Sequence, residues 1–328
     1  MRWPYVSWSV ELYDAGGAYV CDQHAAGDGD GVDLTYSDTS GVAFAASFAS
    51  VDQTVTTHEG PCAIAHCTSG GLCDAASGTP LACAACDAGW TGTLCTLAPR
   101  LWYRADALAL SEGAAVTSWP DEGTAGATLT PQGGAPTFRG GVVNAHPVVR
   151  FAKAGEMISA PFVLQETSND FTFYAVLKAG TTQNQYADII DNNHGGSNDS
   201  YSAGPVWQQN VAATNNMGVG CWSPAPTSNY TGGSPWNVSS SAFTLQEVMR
   251  SGTTQRAFVN ATQVMAEGVY AIINKPSVPF ALGGNTYIPQ RRWDGDMAEF
   301  IYFNRALTPT ERAEVEAILG AKYGITLN

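Results

Sequence analysis

The C-terminal end of the chain has the clearest pattern of apolar and polar positions. Residues 297–303 are almost all β-branched, aromatic or apolar, which predicts a strand covered on at least one face. Residues 308–311, Thr-Pro-Thr-Glu, combine a capping box with proline at the first helical position. Apolar residues then recur at helical spacing before Gly324, at Val315, Ile318, Leu319 and Tyr323. The pattern predicts a strand followed by a short amphipathic helix.

Alternation of apolar and polar residues also marks the first 60 residues. Five short runs are separated by glycine-rich turns, at 6–13, 18–21, 32–36, 42–48 and 51–57. They predict short strands of a small sandwich, or the end of a larger one that begins upstream. A hairpin is predicted further along, with strands at 244–250 and 255–260 joined by a turn at 251–254.

The charge balance excludes several classes of function. The net charge is −14, which argues against nucleic acid or an anionic membrane surface as a partner, since both require a basic face. No apolar run of about 18 residues occurs, so we expect no membrane insertion. Residues 1–8 lack the apolar region of a signal peptide, so either a presequence has been removed or these residues belong to a longer multidomain chain, and we expect the second.

Cysteines and sequons indicate an oxidising compartment. Six of the eight cysteines lie between Cys62 and Cys95, a density typical of disulfide frameworks. Four Asn-x-Ser/Thr sequons occur, at Asn198, Asn229, Asn237 and Asn260. We therefore predict a secreted or cell-surface glycoprotein.

The cysteine-rich stretch has a distinctive spacing, Cys62-x4-Cys67-x5-Cys73-x9-Cys83-x2-Cys86-x8-Cys95, and ends in CDAGWTGTLC. Spacing alone leaves the pairing open. The stretch resembles an EGF-like module, although Ala84 and Ala85 stand where most such modules have one residue. The resemblance implies the bridges Cys62–Cys73, Cys67–Cys83 and Cys86–Cys95, and the role of a stiff spacer.

Two cysteines lie outside that stretch, Cys21 and Cys221. An even count makes a bridge between them the simplest pairing. The alternative is that each pairs with another chain.

Five segments between residues 98 and 328 form a recognisable series: LWYRAD at 101–106, SWPDEG at 118–123, PVVRF at 147–151, DGDMAEFIYFNRAL at 294–307 and AKYGI at 321–325. With them, this part of the chain resembles the laminin-G-like, concanavalin A-like lectin domains. The resemblance implies a two-sheet jelly roll. Such domains usually bind sugars or proteins, and only some relatives are enzymes.

The predicted fold class is all-β. It comprises an antiparallel two-sheet jelly-roll sandwich with a short C-terminal helix, a small disulfide-rich EGF-like module and an N-terminal β-rich segment. The predicted domains are the β-rich segment at 1–60, the EGF-like module at 61–97 and the jelly roll at 98–328.

Residues Asp294, Asp296 and Glu299 are the candidate catalytic residues. Their strand, DGDMAE, resembles the Glu-x-Asp-x-x-Glu strand of laminarinases and agarases, retaining glycosidases built on the same jelly roll. Asp294 is one methylene shorter than the glutamate it replaces. In a regular strand Asp296 and Glu299 point to opposite faces, so a bulge is needed to align them. We therefore expect the chain not to be an enzyme.

Residues 191–240 contain the candidate ligand-binding residues. The segment is rich in Asn, Ser and Gly, and aromatic rings beside amides and carboxylates can hold a sugar. The alternative is that the aromatics pack a long loop onto the sheet. The candidates are Tyr201, Trp207, Trp222, Tyr230, Trp236, Asp191 and Asn192.

Calcium is the candidate cofactor, at two places. Asp188, with Asp191, Asn192 and Asn193, is suited to the rim of a sheet, as in some lectin-like relatives. The acidic turn with Asp28, Asp30 and Asp33 is the other place, and an ordinary Asp-Gly turn is favoured there because further loop ligands are absent.

Together these features predict a non-enzymatic extracellular glycoprotein, a structural or adhesive building block of a cell-surface coat or an extracellular filament. Its expected partners are other extracellular domains or copies of itself. The alternative function is a carbohydrate-binding lectin module, followed by a glycosidase.

Overall fold

The computed structural model describes residues 8–13, 19–25, 32–37, 43–48, 67–73, 80–86, 97–165, 169–193, 203–211, 216–221, 229–234, 236–268, 277–285 and 287–328. The chain divides into two compact units, Met1–Leu97 and Ala98–Asn328. The predicted division of the first unit into a β-rich segment and an EGF-like module stays a prediction.

The described strands of the first unit pair as antiparallel hairpins, β1 with β2, β3 with β4 and β5 with β6. Their bounds are β1 Trp8–Tyr13, β2 Tyr19–Ala25, β3 Val32–Ser37, β4 Ala43–Phe48, β5 Cys67–Cys73 and β6 Pro80–Cys86. Four predicted runs fall on β1 to β4, and the fifth, 51–57, lies outside the described residues.

The cysteine pairing stays a prediction. The β5–β6 register places the Cα of Cys67 opposite Cys86, and that of Cys83 opposite Gly71. Cys62 and Cys95 lie outside the described residues. Cys21 lies in β2, opposite Leu12.

Among its described residues, the second unit contains strands β7 to β23, the α-helix α1 and short 3-10 helices at Ala105–Ala107 and Pro289–Arg291. In chain order the bounds are β7 Leu101–Arg104, β8 Thr130–Gly133, β9 Thr137–Val143, β10 His146–Ala152, β11 Gly155–Ile158, β12 Phe162–Val163, β13 Phe171–Ala179, β14 Ala187–Asn193, β15 Ala203–Val211, β16 Asn216–Cys221, β17 Asn229–Ser234, β18 Thr244–Ser251, β19 Thr254–Val259, β20 Thr262–Gly268, β21 Ser277–Val278, β22 Ala281–Leu282, β23 Asp294–Phe303 and α1 Pro309–Tyr323.

Two antiparallel sheets form the body of this unit. The eight-stranded sheet has the order β20-β19-β18-β13-β23-β10-β9, with β7 also paired to β23. The seven-stranded sheet has the order β17-β16-β15-β14-β22-β11-β8. β12 and β21 form a small separate pair. The predicted hairpin is confirmed as β18 and β19.

The core lies between the two sheets and is aromatic. Phe173 of β13 packs on Trp207 of β15 with ring centroids 5.5 Å apart, and on Phe300 of β23 at 6.0 Å. All three rings are fully buried. The two sheets therefore face each other as a sandwich consistent with a jelly roll, and the predicted all-β fold class is confirmed.

Helix α1 has the predicted ends. The Thr308 hydroxyl accepts from the Glu311 N–H, the Glu311 carboxylate accepts from the Thr308 N–H, and Gly324 closes the helix at φ 65°. The apolar stripe is narrower than predicted, because Ile318 is 38% exposed while Val315 and Leu319 are buried. Side-chain bonds from the helix to β18 and β23 place it on the outer face of the eight-stranded sheet.

Candidate functional site

Strand β23 contains the bulge that aligns its carboxylates. Opposite β13, Glu299 pairs with Val176 but Met297 pairs with Leu177, so Ala298 is an extra residue. Met297 and Phe300 belong to the core. Asp296 and Glu299 therefore share the outer face of the eight-stranded sheet, where α1 lies, and not the face that packs against the other sheet.

Glu299 is the centre of a closed cluster of donors. One carboxylate oxygen accepts from Trp102 Nε1 at 2.6 Å, and the other from Lys322 Nζ and the Tyr323 hydroxyl, each at 2.7 Å. The residue is 2% exposed. Burial, with the Glu299 carboxylate beside it, raises the pKa of Tyr323, so its hydroxyl stays a proton donor. We name these four residues the helix clamp.

The other two candidate catalytic carboxylates have different roles. Asp296 accepts two hydrogen bonds from the Arg150 guanidinium, at 2.6 and 2.9 Å, and is 4% exposed. Asp294 lies at the start of β23, where its N–H donates to Gln183 and its carbonyl accepts from Gln183 and from Gly180. The structure thus gives each of the three a place in packing or in an ion pair.

Strand β14 has a second bulge with the same consequence. The pairing to β15 shifts between Asp188 and Ile190, and Ile189 and Ile190 both belong to the core. Asp188 and Asp191 therefore flank two core residues and share the outer face of the seven-stranded sheet. Both are buried, at 0% and 1% exposure. We name these two residues the β14 acid pair.

The surroundings of Asp188 are polar. Neither carboxylate oxygen makes a hydrogen bond of good geometry, but the side-chain amides of Gln208 and Asn285 interact with the carboxylate as donors. Burial first, and then the charge of Asp191, raise the pKa of Asp188 well above its ordinary value. The amides of Gln208 and Asn285 and the charge of Arg291 act in the opposite sense and lie nearby. The segment that carries Asn285 is held in place because its side-chain oxygen accepts from the N–H groups of residues 287 and 288.

The candidate stacking residues Trp207 and Trp236 are core residues, which corrects the expectation for both. Trp207 is 0% exposed and lies against Phe173. Trp236 is 4% exposed, and its Nε1 donates to Gln246 at 3.2 Å. Neither has a free ring face for a sugar, so for these two the alternative of packing onto the sheet is right.

The remaining ligand candidates are only partly described. Asn192 is buried and donates through Nδ2 to the Pro279 carbonyl at 3.2 Å, so it ties the end of β14 to a neighbouring loop. Tyr230 lies in β17. Tyr201 and Trp222 lie outside the described residues.

Two sequons have described side chains. Asn237 is exposed, and its side-chain oxygen accepts from Gln209 at 3.0 Å. Asn260 lies in the turn between β19 and β20 at φ 48°, and its side-chain oxygen accepts from the Leu245 N–H. Asn198 lies outside the described residues, and Asn229 begins β17.

The described part of the chain contains no group of three His, Cys, Asp or Glu side chains that could hold a metal ion. Asp28 and Asp30 lie outside it, and Asp33 lies in β3. Among the described helices, none is long and apolar enough to span a membrane. A cation at the β14 acid pair would need oxygens other than carboxylates to complete its coordination.

The sequence alone did not predict the partners of the paired carboxylates on β23 or on β14. Trp102 and Lys322 lie 197 and 23 residues from Glu299 in sequence, and their meeting depends on the fold. Gln208 could have been found only through the β14–β15 register, which places it opposite Asp188. The alternation of β14 alone would have placed Asp188 and Asp191 on opposite faces.

The comparisons with known proteins agree with this fold. A family model described as the concanavalin A-like lectin/glucanases superfamily matches residues 153–311. This supports the predicted lectin-like jelly roll in that part of the chain, and the EGF-like module stays a prediction. No curated protein matches the chain.

Several solved structures are similar to parts of this chain at low identity. Domain 4 of the extracellular arabinanase AbnA from Geobacillus stearothermophilus, in complex with arabinotriose, has a TM-score of 0.47 at 14% identity and covers 65% of this chain and 95% of that one. A Trypanosoma rangeli sialidase has a TM-score of 0.45 at 12% identity, with 78% of this chain and 37% of the sialidase covered. At identities and TM-scores this low, neither says anything about the ligand or activity of this chain.

Proposed function

We propose that this chain is a non-catalytic module of an extracellular glycoprotein and serves as a structural or adhesive building block. The observation that carries the proposal is the burial of Glu299 inside the helix clamp. The strand that resembles a glycosidase active site supports the docking of the C-terminal helix instead.

The chemistry of glycoside hydrolysis explains why this observation is decisive. A general acid/base must reach the glycosidic oxygen and exchange a proton with substrate or water. Glu299 is 2% exposed, and its two oxygens already accept three hydrogen bonds. A substrate would have to displace the end of α1 to reach it. Asp296 is likewise held by Arg150.

An extracellular location is supported by the composition and by the sequons. Asn237 is exposed on the second unit, and its side-chain nitrogen is the atom that a glycan would modify. The six cysteines from Cys62 to Cys95 suit an oxidising compartment.

A carbohydrate-binding module is the second candidate function. The match of residues 153–311 to the lectin/glucanase superfamily favours it, because that fold commonly carries sugar sites. Trp207 and Trp236 are excluded as exposed stacking platforms, so a sugar would have to use other residues, for which Trp222, Tyr201 and Tyr230 are the sequence candidates.

Polysaccharide pull-down and hydrolysis assays distinguish these functions. The purified chain is incubated with a broad polysaccharide and glycan panel, with and without calcium, and both bound protein and released sugar are measured. We expect no released sugar. Sugar release that Glu299→Gln abolishes would overturn the non-catalytic assignment.

The binding arm separates the structural role from the lectin role. Saturable binding that is lost in Trp222→Ala would establish the second candidate and overturn a purely structural role. The matched control is Trp207→Phe, which keeps an aromatic ring in the core and should leave any such binding unchanged. Binding to none of the panel supports the building-block role.

Secretory expression tests the glycoprotein assignment. With a supplied signal peptide, the chain is expected to leave eukaryotic cells with glycans that an amidase removes, as measured by the mass of the intact chain. Asn237→Gln should lower that mass by one glycan. A secreted chain of unmodified mass would contradict the assignment.

A further inference from the structure

We propose that the N-terminal half of helix α1 is held on the eight-stranded sheet by a proton that Glu247 and Glu316 share, and that loss of this proton in alkaline solution loosens that half of the helix. The proposal concerns neither the helix clamp at the other end of α1 nor the acids of β14. It is independent of whether the chain binds sugars or serves as a building block.

The strand register places Glu247 at the centre of a row of side chains across the sheet. Glu247 of β18 pairs with Tyr174 of β13 on one side and with Phe258 of β19 on the other. Directly paired residues of antiparallel strands carry their side chains on the same face. Because Val248, the next residue, belongs to the core, this row lies on the outer face, which α1 covers.

Helix α1 brings one guanidinium and a second carboxylate to this row. Arg312 donates from Nε and Nη2 to the two oxygens of Glu247, and from Nη2 to Glu316 at 3.2 Å. Its guanidinium also lies over the Phe258 ring, 3.7 Å from the centroid. Both acids are buried, at 1% and 8% exposure. We name Glu247, Glu316 and Arg312 the shared-arginine cluster.

The charge balance of this cluster explains why it holds a proton. A guanidinium stays charged in proteins, so it neutralises one carboxylate and leaves the other in excess. Burial raises the pKa of Glu247 to about 8 from an ordinary value of 4.5; the bonds from Arg312 oppose this rise, and Glu316 adds to it. With one of the two acids protonated, the buried cluster is neutral.

The neighbouring strands supply no second positive charge to the cluster. Tyr174 is fully buried, and burial, followed by the charge of Glu247, raises the pKa of its hydroxyl well above the ordinary value, so the hydroxyl stays neutral. Arg256 of β19 lies on the same outer face, two residues before the partner of Glu247. The ion pairs of both acids in the described part of the chain are nevertheless with Arg312.

The charged residues of β18 and α1 point elsewhere. Arg250 of β18 lies three positions further along the strand, on the face that packs against the other sheet. Glu314 lies between the two cluster residues of α1, and side chains two positions apart on a helix do not face each other. Glu311 of the first turn binds Arg305 at 2.7 Å. The excess carboxylate of the cluster therefore depends on its proton.

The two ends of α1 differ in this respect. At the helix clamp, Glu299 accepts from Trp102, Lys322 and Tyr323, and the Lys322 ammonium also binds Asp106 at 2.9 Å. No proton is needed there to hold the acid among its donors. At the shared-arginine cluster, loss of the proton leaves a buried negative charge, which is relieved when the helix moves away and water reaches the carboxylates.

The sign of the pH dependence follows from the raised pKa of Glu247. Between the ordinary value of 4.5 and about 8, the folded chain holds the proton and the unfolded chain does not. The free energy of unfolding therefore falls as the pH rises through this range, and the contribution is lost above it. An ordinary ion pair between Glu247 and Arg312 predicts the opposite, because it forms as the acid ionises.

Glu247→Gln in the full chain separates these two accounts, because the amide keeps the size of the side chain and cannot lose the proton. Thermal unfolding is followed by circular dichroism from about pH 5 to about pH 9. We expect similar Tm values for wild type and variant at the acidic end, and a variant Tm about 5 °C higher at the alkaline end. A variant that gains nothing on the wild type as the pH rises would overturn the proposal.

The matched control is Glu112→Gln, which removes an exposed carboxylate that bonds Arg139. Its Tm should follow that of the wild type from about pH 5 to about pH 9, since an exposed carboxyl is ionised throughout this range. A rise of the Glu112→Gln curve equal to that of Glu247→Gln would show a general charge effect and would overturn the proposal.

Carboxyl-carbon NMR of the chain labelled with 13C-glutamate observes the proton directly. We expect one glutamate signal with a midpoint near 8 that is missing in Glu247→Gln. Glu316→Gln should lower that midpoint, because Arg312 then serves a single acid. The proposal is wrong if every signal above about pH 6 persists in Glu247→Gln. If that variant does not fold, the effect of Glu316→Gln on the wild-type midpoint decides the question.

Amide hydrogen exchange locates the loosening. Protection factors, which correct for the intrinsic effect of pH, are compared at about pH 6 and about pH 9. We expect residues 309–316 to lose protection about tenfold while residues 319–323 keep theirs. Unchanged protection, or an equal loss along the whole helix, would contradict release of the N-terminal half.

Discussion

Strands β14 and β23 each bury two carboxylates on the outer face of a sheet, but the partners of those carboxylates differ. Each carries two acidic residues three positions apart, and each has a bulge that brings both carboxylates to the outer face of its sheet. On β23 the carboxylates Asp296 and Glu299 meet Arg150 and the helix clamp. On β14 the Asp188 carboxylate is buried beside Asp191 and faces the neutral amides of Gln208 and Asn285 and the charge of Arg291.

The two strands show that similarity to a catalytic motif and the chemical surroundings of a carboxylate are separate matters. The β23 sequence resembles a catalytic strand, but Asp296 and Glu299 already bind basic side chains inside the fold. The β14 sequence, ADIIDNN, resembles no catalytic motif, yet it buries two carboxylates, and burial and the charge of Asp191 raise the pKa of Asp188. Similarity to a catalytic motif therefore says less about a site than the partners of its side chains do.

Glu299→Ala is the largest test of this difference. The substitution removes the acceptor of the Trp102 and Tyr323 donors and one of the two carboxylates that the Lys322 ammonium binds, while Asp106 at 2.9 Å remains. We expect a loss of about 3–5 kcal/mol in the free energy of unfolding, because Trp102 and Tyr323 each lose a hydrogen bond to a charged group, at about 1.5–3 kcal/mol per bond. Urea unfolding followed by tryptophan fluorescence measures it.

The matched substitution on the other strand is Asp188→Asn. It removes a carboxyl whose pKa is raised by burial and by the charge of Asp191, and it keeps a polar side chain beside the amides of Gln208 and Asn285, so we expect no loss of stability and a small gain. If Glu299→Ala and Asp188→Asn lose equal free energies of unfolding, the two strands do not differ in how their buried acids contribute to stability.

Tyr323→Phe tests one hydrogen bond of the helix clamp by removing a single oxygen atom. It removes a hydroxyl that donates to a buried carboxylate at 2.7 Å and leaves the ring in place. Hydrogen bonds to charged groups contribute about 1.5–3 kcal/mol, and we expect a loss in this range from urea unfolding.

Tyr287→Phe is the control for that measurement. Tyr287 is 40% exposed, and exposed substitutions usually change stability by no more than about 0.5 kcal/mol. A Tyr323→Phe variant as stable as Tyr287→Phe would show that the Tyr323 hydroxyl contributes nothing to the stability of the helix clamp.

The sequence predicted the parts of this fold that depend on local chemistry. The ends of α1 follow from Thr308, Glu311 and Gly324 alone, because capping is a short-range interaction. The β18–β19 hairpin and strand β23 were predicted from apolar pattern and turn residues. The resemblance supplied the two-sheet arrangement.

The candidate sites depended on features that no local pattern contains. A bulge moves a side chain to the other face through a one-residue shift, and it is set by pairing with a neighbouring strand. Trp207 and Trp236 lie in a segment rich in polar residues, but β15 and the contacts of its neighbours turn both rings into the core. The helix clamp joins three separate parts of the chain.

Thr308→Ala tests whether the first turn of helix α1 stabilises the packing of that helix over Glu299. Helix α1 lies over Glu299, and the Thr308 hydroxyl caps its first turn by accepting from the Glu311 N–H at 3.3 Å. Loss of a cap costs about 1 kcal/mol. We expect that loss in thermal or urea unfolding at every pH between about 3 and 7, because a hydroxyl does not titrate there.

Glu311→Gln should destabilise the same helix end by a smaller amount that depends on pH. Two hydrogen bonds from Arg305 are the main cause that lowers the pKa of Glu311 to about 2, from an ordinary value of 4.5. A carboxyl with a lowered folded-state pKa stabilises the fold above its unfolded value and loses that contribution as pH falls through its folded value. The difference between wild type and Glu311→Gln should therefore be constant above about pH 5 and shrink towards pH 2.

Unfolding of both variants across this pH range separates charge from capping. Thr308→Ala should stay below the wild type throughout, while Glu311→Gln approaches the wild type in acid. If the Glu311→Gln difference does not change with pH, the Arg305 ion pair contributes nothing, and the capping bonds alone hold the helix end. The docking of helix α1 over Glu299 would then depend on the buried bonds of the helix clamp and not on a surface ion pair.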